Sequence, residues 1–258
     1  MKRHGANNAR RHANGEVVSG IKAAFDAAGS VTVITGGSSG IGRALAGELA
    51  ALGGSVHVLD IAPPEDEFEE GVTFHEVDVT NRPALMRVSS EIPGKIDGLV
   101  CAAVVQPRTP VLEMPPEEWQ RVQDVNVNAV VWCCQAFVPG MVERRRGAVV
   151  LFTSGLAVSG YPAASAYSSS KGALQAFARS LAKEVAASRV RVNLLSPGVI
   201  DTPQFRAANP GGDLSHWQAT TGVGVPQDVV PSLLFLLSDA ANLTGSLLTR
   251  EQVYGRES

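Results

Sequence analysis

The sequence predicts a three-layer α/β fold in which a doubly wound parallel sheet forms a single domain. From Val31 onward, short β-branched and apolar runs alternate with stretches of helical periodicity. Strands and helices in alternation form right-handed βαβ units, and the resulting parallel sheet is covered by helices on both faces. The 258 residues, of which 45% are hydrophobic and 18% charged, are enough for one large core.

Each predicted element has its own local pattern. Buried parallel strands are short and rich in β-branched residues, and such runs occur at Val31–Thr35, 56–60, 72–77, 99–103, 148–153, 190–195 and 246–248. Helical periodicity predicts helices at 44–52, 83–92, 116–137, 164–186 and 227–238. Pro83 stands in the first turn of its helix, where proline is tolerated. A further short helix is predicted at 21–28.

The ends of the domain differ in composition from its centre. Residues 1–28 are predicted to be a largely disordered extension, because Lys2, Arg3, Arg10 and Arg11 precede the first acid and no secretory apolar core follows. A targeting or anion-binding arm is the alternative. Residues 29–258 form the Rossmann-like domain. Within it, 203–224 has no clear periodicity and is predicted to be a lid.

Composition also limits the expected partners. A net charge of −3 gives no indication of nucleic acid or an anionic membrane as partner. No uninterrupted apolar run approaches the roughly 18–20 residues of a membrane span. The three cysteines lie in apolar stretches, which favours a reducing, cytoplasmic compartment over a disulfide framework. No metal site is predicted.

Glycines and serines fill the turn after the first strand. The residues concerned are Gly36, Ser38, Ser39, Gly40, Ile41 and Gly42. A helix that starts here directs its free N–H groups and the positive end of its dipole at the turn, where a pyrophosphate can bind. The missing Cβ of Gly40 lets backbone approach a ligand, and Gly42 lets helix and strand pack closely. The pattern predicts a dinucleotide site; a ligand-free glycine turn is the alternative.

Asp60 ends the second strand, eighteen residues after Gly42. A carboxylate at this point can accept hydrogen bonds from ribose hydroxyls and would repel a 2′-phosphate. Ser39 and Ile61 bring no positive charge that could hold such a phosphate. The sequence therefore favours NAD over NADP, with a simple turn residue as the alternative for Asp60. Asp78, after the third strand, is predicted either to contact the adenine amine or to cap a helix.

Tyr167 and Lys171 are four residues apart at the start of a long predicted helix, so they share one face. An ammonium near a phenol lowers its pKa from about 10 towards the range of a usable base. Ser154 ends the preceding strand at the carboxyl edge of the sheet, where ligands bind. Its hydroxyl can hold a substrate oxygen while Tyr167 moves the proton. The alternative is a Tyr–Lys pair and a serine before a helix that have no catalytic role, an arrangement that is common when each occurs alone.

These motifs resemble the short-chain dehydrogenase/reductase family in its single-domain form, over roughly residues 31–245. The resemblance implies hydride transfer with Asn126, Ser154, Tyr167 and Lys171 as catalytic residues. Asn126 is expected to hold a water that links Lys171 to bulk solvent. The resemblance also adds cofactor contacts at Asp78, Val79, Ala102, Ala103, Tyr167, Lys171, Pro197, Gly198, Ile200 and Thr202. Thr202 is expected near the nicotinamide carboxamide.

Two segments depart from the family pattern. The family usually has Asn-Asn-Ala-Gly after the fourth strand, whereas this chain has Cys101, Ala102, Ala103 and Val104. Val104 places a branched side chain where glycine lets the backbone pass close to the cofactor. Near the end, residues 249–255 replace the Val-Asp-Gly-Gly that often follows the last strand. A changed cofactor wall and a changed C-terminal contribution are expected.

The residues expected to contact the substrate are inferred from their position in the predicted fold. Gln106, Pro107, Arg108 and residues 158–161 are expected to line a pocket under Phe205 and Trp217. Arg108 and Arg206 could hold a carboxylate, with exposed surface cations as the simpler interpretation.

The leading hypothesis is an NAD-dependent oxidoreductase that interconverts a small-molecule secondary alcohol and a ketone. An NADPH-linked 3-oxoacyl carrier reductase and a non-catalytic dinucleotide sensor of the same fold are the alternatives. The family resemblance also implies a homodimer or homotetramer, formed through the two long helices and the last strand.

Overall fold

The computed structural model describes residues 23–211 and 214–250. Their centre is a seven-stranded sheet with the order β3-β2-β1-β4-β5-β6-β7, in which every neighbouring pair is parallel. The strands are β1 Val31–Thr35, β2 Ser55–Asp60, β3 Val72–Glu76, β4 Gly98–Cys101, β5 Gly147–Phe152, β6 Val190–Ser196 and β7 Leu247–Thr249. This order confirms the predicted doubly wound sheet.

Helices cover both faces of the sheet. They are α1 Gly40–Ala51, α2 Arg82–Glu91, α3 Pro116–Gln123, α4 Ala129–Arg144, α5 Leu156–Ser159, α6 Ser165–Val185, α7 Pro203–Ala208, α8 Ser215–Thr220 and α9 Val230–Leu237. Alternate residues of the buried strands point to opposite faces: Val33 packs in the core under α2, α4 and α6, whereas Ile34 packs in the core under α1 and α9. The three predicted layers are therefore present.

The sheet reverses its winding between β1 and β4. The chain runs outward from β1 to β3 and then returns to β4, which pairs with β1 on its other side. Connections on the two sides of this point leave in opposite directions, so a crevice opens at the carboxyl ends of the strands. The glycine turn follows β1 at this crevice.

Two predicted helix boundaries are wrong. The described part of the helix expected at 21–28 is not helical, because the Ala27 N–H donates to the Leu52 carbonyl at the end of α1 instead of to its own segment. The helix expected at 116–137 continues to Arg144 and contains a π-helical segment, Asp124–Asn128, between α3 and α4. The rest of the N-terminal extension lies outside the described residues.

The combined helix Pro116–Arg144 is long and apolar enough to cross a membrane by length and composition, and it is the one such helix among the described residues. This differs from the expectation based on uninterrupted apolar runs. A core helix of a soluble protein passes the same criterion, and 44% of the apolar window is buried. Cys133 and Cys134 of α4 and Cys101 of β4 are free and buried beside one another in the core that α4 covers.

Candidate active site

A cleft of about 830 Å³ opens at the carboxyl edge of the sheet. Of the residues predicted to bind the cofactor, Ser38 is the exception that does not line it. The Ser38 hydroxyl instead donates to the Ala62 carbonyl at 2.7 Å, and its backbone N–H donates to Asp60. Ser154 lines the same cleft together with Tyr167 and Lys171. The fold thus brings the two predicted halves of the site into one space.

The glycine turn has the form that a pyrophosphate requires. Gly36 and Gly40 adopt φ values of +68° and +55°, which disfavour other residues. A Cβ on Gly42 would lie 2.3 Å from the Gly36 carbonyl oxygen, and one on Gly36 would lie 2.5 Å from the Ala103 nitrogen. The Ser39 side chain makes no capping hydrogen bond to α1. Backbone N–H groups at the start of α1 are therefore available to an anion, and the turn fits the diphosphate of a dinucleotide.

Asp60 is held rigidly beside this turn. Its Oδ2 accepts from the Ser38 N–H at 3.0 Å, and its Oδ1 accepts from the Ile61 N–H at 2.8 Å. A carboxylate oxygen can accept more than one hydrogen bond. The carboxylate therefore keeps acceptor capacity for a ligand that lies along the turn.

Asp78 does not cap α2, and its expected contact with the adenine amine stays a prediction. Its Oδ1 accepts from both the backbone N–H and the hydroxyl of Thr80, which closes a local turn. The residue that caps α2 is Asn81, whose side chain accepts from the Ala84 N–H at 3.1 Å. The helix-cap interpretation of Asp78 is therefore wrong, and its exposed carboxylate lines the cleft.

Ser154, Tyr167 and Lys171 converge from two elements. Ser154 follows β5, and the other two lie in the first turns of α6. The Ser154 Oγ accepts from the Leu156 N–H at 3.2 Å, and its hydroxyl is also hydrogen-bonded to Tyr167. The Lys171 Nζ lies 5.7 Å from the centroid of the Tyr167 ring and donates to the Phe152 carbonyl at 3.0 Å. The group can hold an oxygen atom and exchange a proton with it.

The pKa of Tyr167 differs from the sequence expectation. Burial raises it above its ordinary value, while a hydrogen bond with Ser154 and the positive charge of Arg108 act in the opposite direction. The Lys171 ammonium lies 5.7 Å from the centroid of the same ring, where its positive charge also favours the phenolate. Burial lowers the pKa of Lys171 to about 8, and its ammonium is turned towards the Phe152 carbonyl. In the protein alone, Tyr167 is therefore a phenol that carries its proton at neutral pH.

Asn126 lies behind the cleft. It is 0% exposed at the centre of the π-helical segment. Its Oδ1 accepts from the Val105 N–H, and its Nδ2 donates to the Val105 carbonyl, each at 2.9 Å, and also to the Ser170 hydroxyl at 3.1 Å. Asn126 thereby fixes the loop after β4 against α6.

The mouth of the cleft is lined by aromatic side chains and one arginine. Trp217 of α8 lies 6.0 Å from the Tyr161 ring and 6.3 Å from the Phe205 ring, measured between centroids. The Arg108 guanidinium carbon lies 5.0 Å from the centroid of the Tyr161 ring. Thr202, expected near the cofactor amide, caps α7 by accepting from the Phe205 N–H at 3.1 Å. The predicted lid therefore contains two short helices, α7 and α8, separated by the undescribed residues 212–213.

Sequence reasoning missed two kinds of contributor to the site. The Thr35 hydroxyl accepts from the Ala103 N–H at 3.3 Å and so helps to place the cofactor wall. Arg250 lines the cleft and donates to the Pro197 carbonyl at 3.3 Å. Its position directly after β7 was a usable signal, since strand ends meet at this edge. The described residues contain no cluster of three metal-ligating side chains.

Comparison with known proteins agrees with this geometry. Residues 30–212 match the family model described as short chain dehydrogenase. The chain belongs to this family. Among solved structures, the ligand-free aldohexose dehydrogenase of Thermoplasma acidophilum superposes with a TM-score of 0.81 at 30% identity, covering 88% of this chain and 94% of that one.

Curated short chain dehydrogenases include several relatives. The 2-dehydro-3-deoxy-L-rhamnonate dehydrogenase (NAD(+)) of Sphingomonas sp. (strain SKA58) is 35% identical over 68% of this chain and 74% of that protein. The cis-4-hydroxycyclohexanecarboxylate dehydrogenase of Sinomonas cyclohexanicum is 31% identical over 87% and 96%. A 3-oxoacyl-[acyl-carrier-protein] reductase of Chlamydia muridarum is 29% identical over 84% and 94%. The chain is therefore an oxidoreductase of a family that includes dehydrogenases of CH–OH groups and acts on small molecules.

In this short chain dehydrogenase, hydrogen bonds hold the loop after β4 on both sides of Val104. Val104, the residue expected to alter that wall, lines the cleft. The backbone on either side of it is held: the Ala103 N–H donates to Thr35, and Val105 is clamped by Asn126. The part of the changed C-terminal segment beyond Arg250 lies outside the described residues.

Proposed function

We propose that this protein is an NAD-dependent oxidoreductase that interconverts a secondary alcohol and a ketone. The observation that carries the proposal is the shared cleft, in which Ser154, Tyr167 and Lys171 face the glycine turn. A dinucleotide held on that turn would place its reactive ring beside these side chains. The nicotinamide supplies the hydride acceptor or donor, and the protein supplies orientation and proton transfer.

The side chains divide this work. The Ser154 hydroxyl, whose oxygen already accepts from Leu156, can donate to the substrate oxygen and fix its position. Tyr167 is the proton donor for ketone reduction, because its pKa is held above the ordinary value. For alcohol oxidation the same phenol must first lose its proton, a step that nearby positive charge favours. Asn126 supports the wall opposite α6, and the family resemblance suggests a water beside it.

The preference for NAD rests on Asp60. Its carboxylate is fixed at the end of β2 by Ser38 and Ile61, where it would repel a 2′-phosphate. The neighbouring Ser39 and Ile61 side chains are uncharged. Comparing kcat/KM for NAD and NADP in the parent and in Asp60→Ala tests this directly. We expect the parent to prefer NAD and the variant to lose most of that preference. A parent that prefers NADP would overturn the assignment.

The decisive test of the reaction is Tyr167→Phe. This change removes one oxygen atom, so the fold and cofactor binding should survive while turnover falls about 100- to 10,000-fold. The substrates in the names of two relatives, a rhamnonate and a cyclohexanecarboxylate, are carboxylates, so hydroxy acids belong in the panel of secondary alcohols. Equal activity in parent and variant would contradict the proposed proton transfer.

Two other functions remain to be separated from this one. An NADPH-linked 3-oxoacyl carrier reductase is favoured by relatives of that kind and disfavoured by Asp60. Faster turnover of an acyl-carrier thioester with NADPH than of any free alcohol with NAD would select it. A non-catalytic dinucleotide sensor is favoured only by the altered residues 101–104. Tight NAD binding with no turnover across the panel would select that function.

We further propose a homodimer or homotetramer in a reducing, cytoplasmic compartment. The assembly follows from the family resemblance, in which the two long helices form subunit contacts. Light scattering after gel filtration measures the mass directly, and a monomer would contradict the proposal. The buried free thiols Cys101, Cys133 and Cys134 support the compartment. Cell fractionation would test it.

A further inference from the structure

Arg108 combines a half-buried side chain with two buried nitrogen atoms that have no hydrogen-bond partner among the described residues. It lies in the loop after β4 and lines the cleft. Its Nε and Nη1 atoms are buried, and neither has a partner among the residues that the structure describes. Burial lowers the pKa of the guanidinium, yet an arginine remains charged at any physiological pH. Burying these two N–H-bearing atoms of a charged group without hydrogen bonds costs free energy, so the site has the form of one that a ligand completes.

The other cleft-lining charges do not neutralise Arg108. The carboxylates that line the described part of the cleft are Asp60 and Asp78. Asp60 is bound to Ser38 and Ile61 beside the glycine turn, and Asp78 is bound to Thr80. The groups that interact electrostatically with Arg108 are instead the phenols of Tyr161 and Tyr167. The guanidinium therefore lies at the end of the cleft where the proton is transferred.

Arg206 provides an instructive contrast. It belongs to α7 in the lid, and it makes a two-pronged ion pair with Asp201, each contact at 2.6 Å. Its side chain is 73% exposed. The sequence placed both arginines on equal terms as carboxylate ligands or surface cations. The structure separates them, because Arg206 is exposed and paired, whereas Arg108 is half-buried and two of its nitrogen atoms have no partner among the described residues.

We propose that Arg108 binds a carboxylate of the substrate, so that the substrate pair is a hydroxy acid and the corresponding oxo acid. A guanidinium presents parallel N–H groups that match the two oxygens of a carboxylate. Tyr161 packs against one face of Arg108, and Trp217 extends the apolar wall that would contact the body of the acid. The carbinol carbon would then lie at Ser154 and Tyr167. This proposal rests on the proposed function, whose site it completes.

The first test measures binding without turnover. Benzoate and benzamide have nearly the same shape but differ in charge, and neither has an oxidisable alcohol. We expect the NAD-loaded parent to bind benzoate about 10- to 100-fold more tightly than benzamide, as suits one charge-assisted contact. Arg108→Met should abolish this preference, Arg108→Lys should keep part of it, and Arg206→Met should leave it unchanged. Equal binding of the two probes by the parent would overturn the proposal.

The second test separates this proposal from the proposed function. With a hydroxy acid and its neutral amide as substrates, Arg108→Met should raise KM for the acid about 10- to 100-fold. KM for the neutral amide should change little, whereas a fall in kcat through the changed pKa of Tyr167 should be the same for both substrates. An equal rise in KM for acid and amide would show that Arg108 supports the fold or Tyr167 and not the carboxylate. If the parent oxidises neither substrate yet prefers benzoate, the proposed function fails and the anion site stands.

Discussion

Lys171 shows how a single residue of this site opposes stability. The side chain is 4% exposed, and burial lowers its pKa to about 8 from an ordinary 10.5. The described residues offer it one backbone carbonyl, that of Phe152, and no carboxylate ion pair. Burying this charge at neutral pH therefore costs free energy, which supports a role in the reaction over a role in the fold.

Replacing this lysine should stabilise the protein. Because the pKa of Lys171 is lower in the folded state, the unfolded chain holds the extra proton between about pH 8 and 10.5, and parental stability gains from rising pH across that window. At pH 7, we expect the free energy of unfolding of Lys171→Met to exceed that of the parent by about 1–2 kcal/mol. Part of the gain is offset because the Phe152 carbonyl loses its hydrogen-bond donor. Urea titrations should show that the difference in free energy of unfolding between variant and parent is smaller at pH 9.5 than at pH 7. The same difference at both pH values would contradict this prediction.

Gly42 should be irreplaceable for steric reasons. Its added Cβ would lie 2.3 Å from the Gly36 carbonyl oxygen, a contact with backbone that only movement of the turn can relieve. We expect Gly42→Ala to lose about 1–3 kcal/mol of stability and most of its NAD affinity. Gly172→Ala in α6 is the matched control, because the nearest described atom to its added Cβ is the Ala157 carbonyl oxygen at 3.9 Å. The control should gain a few tenths of a kcal/mol or more.

At the scale of elements, the π-helical segment is the feature that local patterns did not predict. Asp124–Asn128 interrupts a helix whose periodicity looks continuous, and the extra residue in the turn directs Asn126 at the loop after β4. Helix α4 also runs through Pro139, a residue that usually marks a helix end, and stops only at the left-handed Arg145. Both differences arise from tertiary packing, which overrides the local signal.

The amide of Asn126 should matter to both stability and cofactor binding. Asn126→Ala leaves the N–H and the carbonyl of Val105 without their partner, so we expect a loss of about 1–3 kcal/mol in the free energy of unfolding. The loosened wall should also raise KM for NAD several-fold. Asn128→Ala is the control, since among the described residues its amide donates only to Asp124 of the same segment. If both substitutions lowered stability and NAD binding equally, a specific role for the hydrogen bonds between Asn126 and the Val105 backbone would be contradicted.

At the scale of the whole molecule, the parallel sheet and the edge that carries the site followed from the sequence, whereas the order of the strands came from the structure. Alternating strands and helices determine a parallel sheet, and the carboxyl ends of its strands must meet at one edge, which brought the glycine turn and Tyr167 together. The state of Arg108 could not be predicted in this way. Position in the fold placed Arg108 and Tyr161 in one pocket, but no sequence pattern shows that the guanidinium packs over the Tyr161 ring or that two of its nitrogen atoms lack partners among the described residues. Side-chain pairing of this kind is settled only when distant segments pack.

Because the cleft is walled by both halves of the sheet, a bound dinucleotide should stabilise the entire fold. A ligand at a hundredfold excess over its Kd adds about 2.7 kcal/mol, which corresponds to roughly 5–10 °C in Tm for a chain of this size. We expect saturating NAD to give such a rise and NADP at the same concentration to give much less. Differential scanning fluorimetry measures both. A larger rise with NADP would contradict the proposed cofactor.

The cysteine cluster between β4 and α4 has a consequence for kinetics. Cys101, Cys133 and Cys134 are buried, and a hydrogen bond with Cys133, together with burial, raises the pKa of Cys101. A thiol reagent can therefore modify them only after α4 has lifted from the sheet, so the modification rate reports how often that layer opens. Since Cys101 is followed directly by the cofactor wall, NAD should slow its labelling in proportion to site occupancy. The rate of cysteine modification, measured by mass spectrometry, therefore reports how often α4 opens from the sheet in the native protein, and no engineered label is needed.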